Sequence, residues 1–177
     1  MLGLTKGALF CLCLSAVASG VAEGISFESA GARFGMGSNR SSRDFYEAEA
    51  FADLNLPWRW NLSAHLHVES RLDLGVGWLA ERSSHAALGE VGPLLVLGYG
   101  EFLLTLAIGS NATGLSRSDF ETKDLGIAFQ FTTHIGLNWD FAQHFRLGYR
   151  YQHSSNAGLN SRNPGLNLHM LGLSYLF

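Results

Sequence analysis

The chain has 177 residues, 15 acidic and 12 basic side chains, and a net charge of −3, which gives no reason to expect a nucleic-acid partner. Glycine is abundant (21), proline scarce (3) and aromatics frequent, a composition that suits a β-rich protein with many turns. The two cysteines, Cys11 and Cys13, both lie close to the N-terminus.

Residues 1–22 read as a secretory signal peptide. Lys6 supplies a short positive region, Gly7 to Val17 an apolar one, and Ala16, Ala18, Gly20 and Ala22 the small residues of a cleavage site after Ala18 or Ala22. Neither cysteine follows the Leu-small-small run of a lipoprotein, and both are lost with the signal. An exported chain without disulfides needs another source of stability, and a sheet closed within a bilayer would supply it. The remaining residues, 23–177, are enough for one domain.

From there the chain alternates with period two, the signature of strands with two unlike faces. The expected strands are Gly24 to Met36, Tyr46 to Leu56, His65 to Glu81, Ala86 to Tyr99, Phe102 to Gly109, Asp124 to Phe141, Arg146 to Ser154 and Asn167 to Phe177. Within Tyr46 to Leu56 the polar face carries Glu47, Glu49 and Asp53. Within His65 to Glu81, Leu66, Val68, Leu72, Leu74, Val76 and Trp78 alternate with His65, His67, Glu69, Arg71 and Asp73. Within Asp124 to Phe141, Leu125, Ile127, Phe129, Phe131, Ile135, Leu137 and Trp139 alternate with Asp124, Gln130, Thr132, His134 and Asn138. Gly37 to Arg43 and Ser110 to Thr122 read as longer loops, Asn55 to Asn61 and Asp140 to His144 as short turns.

Gly92 to Gly109 is apolar enough to be weighed as a membrane helix. Glu101 at its centre and the Gly98-Tyr99-Gly100 interruption favour two strands and a tight turn, because glycine tolerates turn dihedrals and the carboxylate seeks water.

Several strands exceed the five or six residues usual in soluble sheets and match the roughly nine to eleven of a tilted membrane strand, apolar outward and polar inward. The fold class is therefore all-β: an antiparallel up-and-down transmembrane barrel of about eight strands, filled by its own side chains rather than open as a pore. Phe177, with Tyr175 two residues before it, resembles the C-terminal assembly signal of outer-membrane barrels. Trp58, Trp60, Trp78 and Trp139 read as membrane-interface anchors.

The stretch Tyr149 to Asn156 carries the chemistry. Leu147, Tyr149, Tyr151, His153 and Ser155 share one face, and Arg146, Gly148, Arg150, Gln152 and Ser154 the other. If the aromatic face meets lipid, a base and a nucleophile look outward at the membrane, as an enzyme that cuts lipids would need. Residues two apart on a strand stand about 6.6 Å apart at Cα, within reach of a His–Ser hydrogen bond if the side chains lean together.

His153-Ser154-Ser155-Asn156-Ala157-Gly158-Leu159, followed by Asn163-Pro164-Gly165-Leu166-Asn167, resembles the active-site region of the PagL-type lipid A 3-O-deacylases, which are small outer-membrane barrels. The likeness is close over the last thirty or so residues and architectural before them. It implies Ser155 as nucleophile, His153 as general base and Asn156 at an oxyanion hole. It also implies removal of the 3-O-linked acyl chain of lipid A, with lipopolysaccharide as substrate and the bacterial outer membrane as location. No cofactor or metal is implied, and a homodimer is left open. The family's orienting Glu lies fourteen residues after the catalytic His, where this chain has Asn167. An amide oxygen can still fix the imidazole tautomer but does not offset imidazolium charge.

Two other readings compete. One is a non-catalytic small barrel with a structural or surface-binding role; the other is a soluble lipocalin-like carrier, which would need an apolar lumen. His65-x-His67-x-Glu69 also has the alternation of a metal site, although packing of these residues and His134 in a polar lumen explains it more simply.

Overall fold

Eight antiparallel strands arise where the period-two pattern is strongest: β1 (Ser26–Gly37), β2 (Phe45–Asn61), β3 (Leu66–Glu81), β4 (Ser84–Tyr99), β5 (Leu104–Leu115), β6 (Phe129–Phe141), β7 (Phe145–Ser155) and β8 (Leu166–Leu176). This computed structural model describes residues 24–177, and the expected signal segment lies outside them. Each strand pairs with the next, and β8 returns to β1 with Ser29 opposite Leu176 and Gly37 opposite Leu168. The sheet is therefore a closed up-and-down barrel without an edge, which is what a lipid environment demands of a sheet.

Closure sorts the side chains. Val76, Trp78, Ile108, Ile135, Leu137, Leu171 and Leu173 stand exposed on the outer wall, while Glu47, Glu49, Asp73, Glu90 and Arg150 are buried within. A water-soluble protein does not leave so broad an apolar belt uncovered, whereas a membrane barrel requires it. The four tryptophans, each about half exposed or more, sit near the strand ends, as expected of interface anchors.

The boundaries depart from the sequence expectation in three places. Asn55 to Asn61 belongs to β2 rather than to a turn. Pro57 cannot donate to the ladder, and the pairing with β3 slips between Asn55 and Arg59 before resuming. β5 runs on to Leu115, shortening the expected loop. β6 starts at Phe129 rather than Asp124, because Gly126 takes a left-handed φ of 88° and breaks the alternation. Leu125 consequently turns inward instead of meeting lipid and is almost fully buried. The Gly92 to Gly109 segment is a hairpin, with Glu101 exposed in its turn.

Two layers fill the lumen. At mid-height Arg33 reaches Glu49 (2.6 Å), Asp73 (3.0 Å) and Glu90 (3.3 Å), and Arg150 reaches the same three at 2.9, 3.1 and 3.1 Å. Asn111 donates to Asp73 and Glu90, and Gln152 donates to Glu47. Toward the end with the longer loops the filling becomes apolar: Phe45, Leu79, Leu88, Phe120, Leu125, Leu166, Leu168 and Met170 form a cap. The lumen is thus polar at its centre, against the lipocalin reading, and closed above by a plug that strand parity alone does not reveal.

Asp73 accepts from both guanidiniums and from Asn111. Asp73→Ala should leave buried charge under-compensated and cost about 3–5 kcal/mol. Arg59→Ala, which removes a half-exposed pair with Glu69, should cost no more than about 1 kcal/mol. Urea unfolding midpoints in lipid vesicles would check both values.

Candidate active site

The register between β7 and β8 places His153 directly opposite Asn167. Side chains opposite one another in an antiparallel pair have Cβ atoms about 4.5–5.5 Å apart, which leaves room for one hydrogen bond. That bond is present: His153 Nδ1 lies 2.8 Å from Asn167 Oδ1. An amide oxygen only accepts, so Nδ1–H donates and Nε2 is left as the basic nitrogen. The tautomer is the one that proton abstraction requires.

Ser155 follows on the same outward face, half-buried where β7 ends. Among the described residues its hydroxyl makes no hydrogen bond, to the His153 ring or elsewhere. The separation of two residues along a strand explains the gap, and such bonds tighten when substrate is present. Ser154 faces the other way. Its Oγ joins a lumenal hydroxyl chain with Thr132 and Thr113, each link 2.8 Å long, and it is turned away from the outer wall.

Asn156 departs from its expected place. The parity that puts Ser155 outside puts Asn156 inside, fully buried. Its Nδ2 donates to Leu125 O (3.0 Å) and Arg162 O (2.7 Å), its Oδ1 accepts from Gly158 N, and its backbone N–H donates to Asn163 Oδ1. With both kinds of donor committed, this residue organises the turn and does not offer an amide to an oxyanion. The next residue, Ala157, adopts φ 52° ahead of Gly158 at φ 82°, and among the described residues nothing accepts its N–H. Left-handed backbone at a residue with a Cβ is strained, and such strain is common beside functional sites.

Three further residues hold the pair in place. Gly165 has φ 64° and lies flat against the imidazole, so that a Cβ there would stand 2.9 Å from His153 Cε1. Lys123, from the β5–β6 loop, donates to Gly165 O at 2.8 Å and reaches Ser42 Oγ at 3.4 Å, while Asn167 N–H donates to Ser42 Oγ at 3.3 Å. Burial pulls the Lys123 pKa down and the more distant Glu81 carboxylate opposes that pull. Sequence reasoning missed Lys123 and Ser42 because they arrive from loops far away in the chain; Gly165 was visible only as part of the Asn-Pro-Gly turn.

From His153 an open groove of ≈ 610 Å³ runs across the outer wall over Tyr151, Ile135, Ile108, Leu95 and Pro93. Elsewhere, His67 leans on Glu69 (3.6 Å), which Arg59 and Arg71 already pair, and His65 packs on Tyr99. Among the described residues no set of three His, Cys, Asp or Glu side chains is placed to hold a metal. His134 is buried in the lumen.

Comparison with known proteins adds an independent line. The sequence model of the family described as "Lipid A 3-O-deacylase (PagL)" matches residues 46–176. The lipid A deacylase PagL of Bordetella bronchiseptica is 45% identical over 69 residues; the match spans 39% of this chain and 39% of that protein. Among solved structures, the outer membrane enzyme PagL superposes with a TM-score of 0.74 at 18% identity, covering 84% of this chain and 99% of that one. Neisserial surface protein A covers 88% of this chain and 100% of its own at a TM-score of 0.45 and 13% identity.

Gly165→Ala tests the backing of the imidazole. The added methyl must displace the ring and adopt a left-handed φ, at a cost of about 1–2 kcal/mol. Imidazole proton–carbon spectra of histidine-labelled protein should show the His153 signals shifted and those of His144, near the opposite end, unchanged.

Proposed function

Because the chain belongs to the lipid A 3-O-deacylase (PagL) family, we propose that it hydrolyses the ester joining the 3-O-linked hydroxyacyl chain to lipid A in the bacterial outer membrane. The observation that carries this reading is the His153–Asn167 hydrogen bond on the lipid-facing wall, with Ser155 on the same face. A catalytic pair in that position needs no pocket, since its substrate arrives laterally.

In the proposed reaction His153 Nε2 takes the proton of Ser155 Oγ as that oxygen attacks the ester carbonyl carbon. The tetrahedral oxyanion is steadied by backbone N–H at the Ala157 turn, not by the Asn156 amide, whose donors are already committed. Collapse breaks the bond to the sugar 3-oxygen, which leaves with the proton held by His153. Water then cleaves the acyl-serine by the same route, with His153 as base. The departing chain lies along the groove that starts at Tyr151 and Ile135.

Ser155→Ala or His153→Ala should abolish release of the 3-hydroxyacyl chain, read by mass spectrometry of lipid A, with the barrel still assembled. Ser154→Ala should retain most of the activity, because it breaks only a lumenal hydroxyl contact. Equal activity in the parent and Ser155→Ala would refute the nucleophile assignment.

Asn167 sets a second expectation. Replacing the acid of a catalytic triad by an amide lowered turnover about 10⁴-fold in a serine protease. An enzyme adapted to the amide should show a narrower gap, so Asn167→Glu is expected to raise the rate about tenfold to a hundredfold, equivalent to about 1.4 to 2.7 kcal/mol. Asn167→Ala should lower it. If both variants match the parent, something other than Asn167 orients His153 during turnover.

A further inference from the structure

The long-loop end of the barrel holds an open basin of ≈ 700 Å³, lined by Arg40, Arg43, Arg82, Lys123 and Arg162 with Asp44 and Asp124. Five cations face two carboxylates there, although the whole chain carries a net charge of −3. The carboxylates are already taken: Asp44 pairs with Arg82 (3.0 Å) and Arg43 (3.5 Å), and Asp124 with Arg162. Two cations are left over. Arg40 is exposed and, among the described residues, makes no ion pair.

Lys123 is the more telling of the two. It is only 8% exposed, yet its ammonium contacts neutral oxygens alone, namely Gly165 O, Ser42 Oγ and, at 3.5 Å, Ser41 Oγ. Glu81 acts on it electrostatically but, among the described residues, no carboxylate forms an ion pair with it, and a buried ammonium without a direct salt bridge is costly. Its two serine contacts are long (3.4 and 3.5 Å), which leaves the ammonium able to turn toward an anion in the basin.

The basin also adjoins the candidate active site through shared backbone. The Asn163-Pro164 edge continues into Gly165, whose carbonyl Lys123 holds and whose Cα backs the His153 ring. An anion here therefore lies on the headgroup side of the reacting ester, while the apolar groove leaves His153 along the wall.

Resting on the deacylase reading, we propose that this basin binds a phosphate group on the sugar headgroup of the substrate glycolipid, with Lys123 and Arg40 as its principal contacts. The phosphate anchors the headgroup at the loops and the groove takes the acyl chain, so that two separated contacts fix which ester meets Ser155. Tetrahedral phosphate oxygens suit a point-charge ammonium and a guanidinium fork together.

Binding, not turnover, tests the idea. The Ser155→Ala barrel in detergent would be titrated with bisphosphorylated lipid A and with the same lipid after phosphatase treatment. We expect the phosphorylated form to bind at least about tenfold more tightly, the equivalent of about 1.4 kcal/mol. Combining Arg40→Ala with Lys123→Gln should shrink that preference to about twofold or less, and added salt should shrink it too. Arg40→Ala alone, at an exposed and unpaired position, should lose about threefold and keeps the test decisive if Lys123→Gln fails to assemble. Inorganic phosphate should compete only weakly; competition as strong as that of the glycolipid would assign the basin to a free anion and overturn the headgroup assignment. Equal binding of the two lipids would also overturn the proposal. Failure of the parent protein to deacylate either lipid would instead sink the esterase reading, a result independent of the binding comparison.

Discussion

Everything in this molecule depends on a backbone that must satisfy all its hydrogen bonds within itself. In hydrocarbon an unpaired N–H or carbonyl costs several kcal/mol, so the sheet can end only by meeting its own first strand. Once β8 pairs with β1, strand parity ceases to be a local preference and becomes a global assignment of inside and outside. A slip of one residue anywhere would drive Glu49 or Asp73 into lipid and Leu171 or Leu173 into the lumen. His153 and Ser155 thus face outward for the same reason that Arg150 faces inward.

Closure brings a second demand, since charges enclosed in the lumen must be paired rather than isolated. Arg33 and Arg150, each bridging Glu49, Asp73 and Glu90, knit β1, β2, β3, β4 and β7 together across the interior. This network does not make the barrel stable merely by existing, because buried ion pairs often only break even against their desolvation. Its effect is to penalise any other arrangement. The strand that supplies Arg150 also supplies His153, so register errors in the lumen would be register errors at the site.

Sequence patterning disclosed the strands to within a few residues because period two is a physical consequence of the pleat. It failed where the backbone leaves the pleat: Pro57 produced a slip where a turn was expected, and Gly126 sent Leu125 inward. At the site, His153, Ser155 and Asn167 were legible as neighbours of one parity. The inward burial of Asn156 follows from that same parity, which the likeness to a family motif had overshadowed. Lys123 and Ser42 were not legible at all. Loops beyond the ladder obey no periodicity, and their meeting at Gly165 and Asn167 exists only once the barrel has closed.

The position of the proposed catalytic site follows from these constraints taken together. At mid-membrane a His–Ser pair would lack polar backbone to steady an oxyanion, because every N–H there belongs to the ladder. Above the loops it would lose contact with acyl chains. The top of β7 is the level at which the ladder ends, a turn leaves the Ala157 N–H unclaimed among the described residues, and the apolar wall still reaches Tyr151. A neutral Asn167 suits that boundary. A carboxylate at a lipid-facing position carries a desolvation cost whenever the imidazole opposite is uncharged, whereas an amide fixes the tautomer without bringing a buried charge. On the proposed catalytic reading, the amide gives up transition-state stabilisation and leaves a resting site that tolerates the membrane.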